Sequence, residues 1–273
     1  MNETFNFKRF WTYFKYDIRQ MWRGHSKAVV LMGGSVAILY VVWALFALVF
    51  NQQWATPPFP ARIVTFILAF MVLEFYQTRT YGYLTEKKAG SAWLMVPASR
   101  AEKFVSMMLV SLIVLPVIFF VAFFGIDAIL SLVDPTYGKA LIGGFMGKLF
   151  EMINLMSSLG AESPIEFTPA NLAFPMAVGY FCNFLYFILC GVCFKKNKIV
   201  GSIAILFGVS VLLSIVSGLS VIHYAPMLEN MDIDEMQLAQ WSASFLNWMV
   251  AIECVLTVGL GWGIWRRVKT LQH

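Results

Sequence analysis

Three stretches of this chain, Ala28–Phe50, Asn171–Phe194 and Ile199–Ile222, contain no charged residue at all. Each is long enough to cross a hydrocarbon core, which takes roughly 20 apolar residues in a helix. Composition rules out hiding them in a soluble interior. Apolar residues make up 59 % of the 273-residue chain and charged residues 13 %, against roughly 45–50 % and about 25 % in a soluble domain. The solvent itself has to be apolar, so the expected fold is an all-α integral membrane protein.

Three further runs are apolar apart from single acids. Phe104–Val133 carries Asp127 near its far end, Ala61–Tyr81 carries Glu74, and Phe245–Trp265 carries Glu253. Arg62 and Arg79 lie close to the two ends of the second run. The expected organisation is six spans, at about 28–50, 61–81, 104–133, 171–194, 199–222 and 245–265, in one permease-sized domain (28–273) preceded by a polar, aromatic and basic segment (1–27). The first apolar run is longer than a signal-peptide core and is expected to stay in the membrane. The length leaves no room for an appended soluble enzyme.

The basic residues assign a topology. Segment 1–27, the link 77–103, the link 195–198 and the segment after Trp265 together hold 17 of the 20 lysines and arginines. They alternate with segments holding only Arg62, Lys139 and Lys148. The positive-inside rule puts both ends of the chain in the cytoplasm. The opposite side is acidic, with Asp134, Glu151, Glu162, Glu166, Glu229, Asp232, Asp234 and Glu235. There the segment 134–170 contains a helix-spaced apolar set (Leu149, Ile153, Met156), and 227–244 reads as a short helix start. The positive charge thus orients a membrane protein and does not indicate a nucleic-acid partner.

Two segments on the basic side carry more information. On a helical wheel Phe7, Phe10, Trp11, Phe14, Ile18, Met21 and Trp22 fall within an arc of about 120°. Lys8, Arg9, Lys15, Arg19 and Arg23 lie opposite. This is an interfacial helix, aromatics in the headgroup boundary and cations toward lipid phosphate and water. It is either a plain anchor or an elbow that also transmits motion from a partner. The second segment, 81–103, reads YGYLTEKKAGSAWLMVPASRAEK. Pro97 stops any preceding helix, and Ser99 with Glu102 has the spacing of a capping box at the start of the third span. The short apolar stretch Ala92–Val96 is either an interfacial turn or a docking surface for another protein.

The stretch MVPASRAEKFVSMMLV (95–110) resembles the signature around the first cytoplasmic loop of ABC-2-type exporter permeases, through Pro97, Ser99, Arg100, Glu102 and Lys103. The layout is similar over the whole chain: a basic aromatic first helix, six spans, an acidic external segment before the last one. The resemblance implies a type-V ABC exporter-like fold and a place in the bacterial cytoplasmic (inner) membrane. It implies two permeases, identical or homologous, paired with two ATPase subunits that bind ATP and Mg. This chain itself would hold no cofactor and perform no hydrolysis. The resemblance further implies a coupling helix at about Thr85–Val96, with Trp93 and Leu94 as anchors and Glu86, Lys87, Lys88 and Arg100 in the ATPase docking surface.

Glu74 and Glu253 lie deepest in their spans. A charged group at mid-bilayer costs roughly 2.5–3.5 kcal/mol on insertion scales, so each is expected to face the bundle. They either line a path for a cationic or polar substrate or make helix–helix hydrogen bonds. Other signals carry little. Gly147-Lys148 lacks the first glycine and the hydroxyl residue of a phosphate loop. Cys190 and Cys193 have no second pair, and Ser217-Gly218 lacks the glycine that an intramembrane serine protease needs. Gly259 and Gly263 form a small-residue face, within the bundle or against a second copy. The competing function is an ATPase-independent secondary transporter or channel. Such proteins often carry paired broken helices, and no two spans here share Gly/Pro interruptions at matching positions.

Overall fold

The computed structural model describes residues 4–50, 56–144, 147, 169–229 and 235–270. Their regular structure is entirely helical: α1 (Phe7–Gly33), α2 (Ser35–Val49), α3 (Phe59–Thr80), α4 (Lys87–Met95), α5 (Arg100–Leu109), α6 (Leu115–Val133), α7 (Pro169–Cys193), α8 (Lys198–Glu229) and α9 (Glu235–Thr270). Five helical stretches are long and apolar enough to cross a membrane, or six if the bent pair α1–α2 counts as one. The chain thus has the helices of a multi-pass membrane protein. The expected surface helix around Leu149, Ile153 and Met156 lies outside the described residues.

The first span differs in construction from its expected form. α1 runs unbroken through Lys27, and the chain bends by 47° between α1 and α2, at Gly34. Beside the bend α1 and α6 approach closely. A Cβ on Gly33 would stand 2.5 Å from the Ala122 Cβ, so only glycine lets α1 lie against α6. α9 likewise begins at Glu235, about ten residues before its apolar run.

The third span is one rod in three pieces. α5 passes through a π-helical turn (Val110–Val114) into α6, with Pro116 just beyond the junction. In that turn the Leu115 N–H goes to Val110 O, one residue further than in an α-helix. Pro116 has no N–H to give. The carbonyls of Ser111 and Leu112 are therefore left without the donors the rod would supply. Side chains of two neighbouring helices replace them: Gln77 Nε2 donates to Ser111 O (3.3 Å) and the Tyr180 hydroxyl to Leu112 O (2.6 Å).

α7 is the central helix, packed between α3 and α9. At its contact with α3 a Cβ on Gly191 would stand 2.5 Å from Thr78 O, again a position that only glycine fits. Two apolar clusters fill the bundle. One, at the end carrying the basic links, joins Met21, Leu84, Trp93, Met107, Ile188 and Ile264. The other is phenylalanine-rich, where Phe66 meets Phe119, Phe120, Phe123 and Phe124 at centroid distances of 5.3–6.0 Å. α8 stands apart: Ile203–Ile215 is exposed throughout. Such a row of exposed apolar side chains suits a hydrocarbon solvent.

Candidate functional site

The site that the sequence singles out is the hairpin from Tyr81 to Lys103. The chain leaves α3 through a 3₁₀ turn (Gly82–Thr85), forms α4, and enters α5. Two lysines hold it, one at the start of α8 and one at its own end in α5. Lys198, at the start of α8, donates to the carbonyl of Gly82 and to Thr85 Oγ1. Lys103, 2 % exposed, donates from Nζ to the Trp93 and Leu94 carbonyls (2.7 and 3.2 Å). It thereby caps carbonyls in the last turn of α4, where Trp93 O otherwise takes only a long bond from the Val96 N–H (3.4 Å). Its ammonium also stands 4.8 Å from the centre of the Trp93 ring.

α5 opens with the expected capping box. Ser99 Oγ accepts from Glu102 N (3.2 Å), and Glu102 Oε2 accepts from Ser99 N (2.9 Å). The fully buried Glu102 does more than close the box. It takes the Asn6 N–H at 2.8 Å, Arg9 Nε at 2.8 Å and Arg9 Nη2 at 2.7 Å. One carboxylate thus starts the third span and fastens the start of α1 to it. A second buried carboxylate, Asp17 of α1, accepts the Tyr81 and Ser106 hydroxyls at 2.7 and 2.6 Å. α1, α4 and α5 are joined by side chains at three levels, through Glu102, Lys103 and Asp17.

The residues expected to dock a partner separate into two groups. Trp93 is 5 % exposed and belongs to the apolar cluster of the bundle, with Leu94 half-buried against it. In this structure Trp93 anchors the hairpin inward, where the sequence reading had it facing a partner. Glu86 and Lys88 are exposed, Lys87 opens α4, and Met95 is 81 % exposed. Arg100 is exposed and donates to Lys269 O at 2.8 Å, tying α5 to the end of α9.

Glu74 and Glu253 come from α3 and α9 but meet the same level of α7. Glu74 is within electrostatic reach of Tyr180. The Glu253 carboxylate lies beside Gly179, 3.8 Å from where a Cβ would stand, and within reach of Cys182. Both are half-buried. Neither carboxylate has a hydrogen-bond or ion-pair partner among the described residues. No helix–helix hydrogen bond of the kind considered for them is made to the described residues. Of the two glycines in α9, Gly263 packs on Leu189 of α7, and a Cβ on Gly259 would meet open space.

Asp127 needs more explanation than its sequence position suggested. It is fully buried and pairs with Arg62 Nη1 (3.2 Å), itself 2 % exposed. It also accepts from the Tyr137 hydroxyl (2.8 Å) and the Leu141 N–H, while Arg62 Nη2 donates to Lys139 O (3.2 Å). Burial and the neighbouring carboxylate push the Tyr137 hydroxyl well above its usual range, so it stays a donor.

Sequence reasoning passed over Asp17, Lys198 and the Arg62–Asp127 pair. For Asp17 a signal was present. It falls on the aromatic side of the α1 wheel with Phe10, Phe14 and Met21, where an acid has to be buried and partnered. For the other two, partners 65 and 116 residues away gave no local signal. Among the described residues no group of three or more His, Cys, Asp or Glu could hold a metal ion. Comparison with protein-family models, with curated proteins and with solved structures finds no match for this chain.

Proposed function

We propose that this chain is the permease subunit of an ATP-driven exporter of the ABC-2 type, joined through its α3–α5 hairpin to a separate ATPase. The observation that carries the reading is the hairpin. A short helix stands off the ends of two spans with Glu86, Lys88 and Met95 outward. It is fastened by Lys103 and Trp93 to α5, and through Glu102 to α1. A push on α4 would reach α1 through side chains that are already in contact, which a loosely tethered loop would not permit. ATP and Mg belong to the partner ATPase in this reading, and a second permease, identical or homologous, completes the path. Glu74 and Glu253, at one level of α7 and without a hydrogen-bond or ion-pair partner among the described residues, support a path that takes a cationic or polar substrate.

The test is co-purification of a nucleotide-hydrolysing subunit from the native host. Lys88→Glu combined with Met95→Asp is expected to lose that subunit while the permease still elutes as a folded species. A native complex with no nucleotide-hydrolysing companion would favour the secondary-transporter or channel reading, which needs only the two acids. The proposed orientation is checked separately. A cysteine at Lys88 has to react with an impermeant thiol reagent only from the cytoplasmic side, and one at Lys139 only from outside.

A further inference from the structure

We propose that the cleft between α1, α3 and the start of α8 is a binding site for the phosphate headgroup of an anionic phospholipid. The cleft encloses about 550 Å³ and is lined by His25, Tyr76, Arg79, Glu86, Lys198 and Val200, among others. Three features point to this ligand.

The first is level. His25 lies three residues before the first apolar run, Arg79 within the last turn of α3, and Lys198 one residue before the apolar run of α8. Three helices thus bring polar groups together where their apolar segments end, which is the depth of lipid phosphates.

The second is charge and its engagement. Two cations face one carboxylate, Glu86, which is within reach of Lys198. Lys198 is committed to Gly82 and Thr85, and His25 shares a 2.7 Å hydrogen bond with the Tyr76 hydroxyl. The Arg79 guanidinium is exposed and has no hydrogen-bond or ion-pair partner among the described residues. It is left as a planar fork of donors suited to phosphate oxygens.

The third is the apolar surface that starts at the mouth. Val200, Ile203 and Phe207 are 68 %, 40 % and 68 % exposed along α8. They offer an acyl chain a track continuous with the headgroup site, which a free anion would not use. The inference rests on the chain being a membrane protein and is independent of the transport reading.

The experiment is native mass spectrometry of the purified full-length chain in detergent, titrated with phosphatidylglycerol, phosphatidylcholine or inorganic phosphate. Phosphatidylglycerol is expected to give a saturable one-lipid adduct that phosphatidylcholine does not match. Arg79→Gln is expected to weaken it about fivefold, the effect of removing one interfacial cation. Arg79→Lys, which keeps the charge but not the fork, recovers only part of the loss, and Arg23→Gln, a cation outside the cleft, leaves binding within twofold. Equal losses for Arg23→Gln and Arg79→Gln would overturn the site in favour of diffuse surface attraction. Inorganic phosphate competing at the lipid's own concentration would overturn the lipid assignment in favour of a free-anion site. An unchanged adduct in Arg79→Gln, with the variant eluting as the parent does, would overturn the proposal outright.

Discussion

The third span carries a buried carboxylate near each end, and the two are used differently. Glu102 pairs with Arg9, whose side chain is 34 % exposed, while Asp127 pairs with Arg62 at 2 % and 0 % exposure. At Glu102 the carboxylate also receives two backbone N–H groups, so it is satisfied even where water reaches its cation. Asp127 has no such access to water, and its remaining acceptor capacity is filled by Tyr137 and Leu141. A partly hydrated pair is a fastening that can loosen, and a dry one is a fixed point. The bundle is therefore tied rigidly at the Asp127 end and adjustably at the end that bears the α4 hairpin.

The sharpest way to break this comparison is at Asp127. Asp127→Leu is expected to cost about 3–5 kcal/mol, because it leaves Arg62 charged and buried. The double variant Asp127→Leu with Arg62→Leu should cost clearly less than the sum of the singles. Unfolding midpoints in detergent measure both, and additive losses would mean the pair is not dry.

At the other end Glu102→Gln is expected to lower the midpoint by less than Asp127→Leu does. Its deficit should also shrink as salt is raised, since added ions screen the exposed Arg9 already in the parent. Ser99→Ala, which removes only the cap, is expected to cost about 1 kcal/mol. A salt response at Asp127 equal to that at Glu102 would erase the distinction.

Midway along the rod, Tyr180→Phe is expected to cost about 0.6 kcal/mol. The loss should vanish in a Pro116→Ala background, where residue 116 gains an N–H for the Leu112 carbonyl. A cost that persists there would mean that Tyr180 has another role.

The smallest effect on stability is expected from Glu74→Gln and Glu253→Gln, since neither acid has a hydrogen-bond or ion-pair partner among the described residues. Their effect should appear in transport, measured as substrate-dependent ATPase activity in vesicles once the partner is in hand. Normal transport by both variants would remove these acids from the path.

Much of the fold was legible because its signals are local. Each apolar run is helical over nearly all its length, as one helix or as pieces joined end to end, and the capping box appears at Ser99 and Glu102 as its spacing requires. The site was only half legible. Trp93 reads as an exposed aromatic in a polar hairpin, and nothing within the hairpin says that Lys103 and the core of the bundle take it inward. Glu86 and Lys88 stand at the surface, where charged side chains stay by default.

By itself the sequence determined that the chain is built from helices greasy enough to cross a bilayer and roughly where most of them begin, because hydrophobic length and capping act over a few residues. Only the tertiary structure decided where α1 bends, which carboxylates are dry and which way Trp93 faces. The dry carboxylate and the inward Trp93 depend on partners 65 and 10 residues away. Contacts of that kind exist only once the helices have packed.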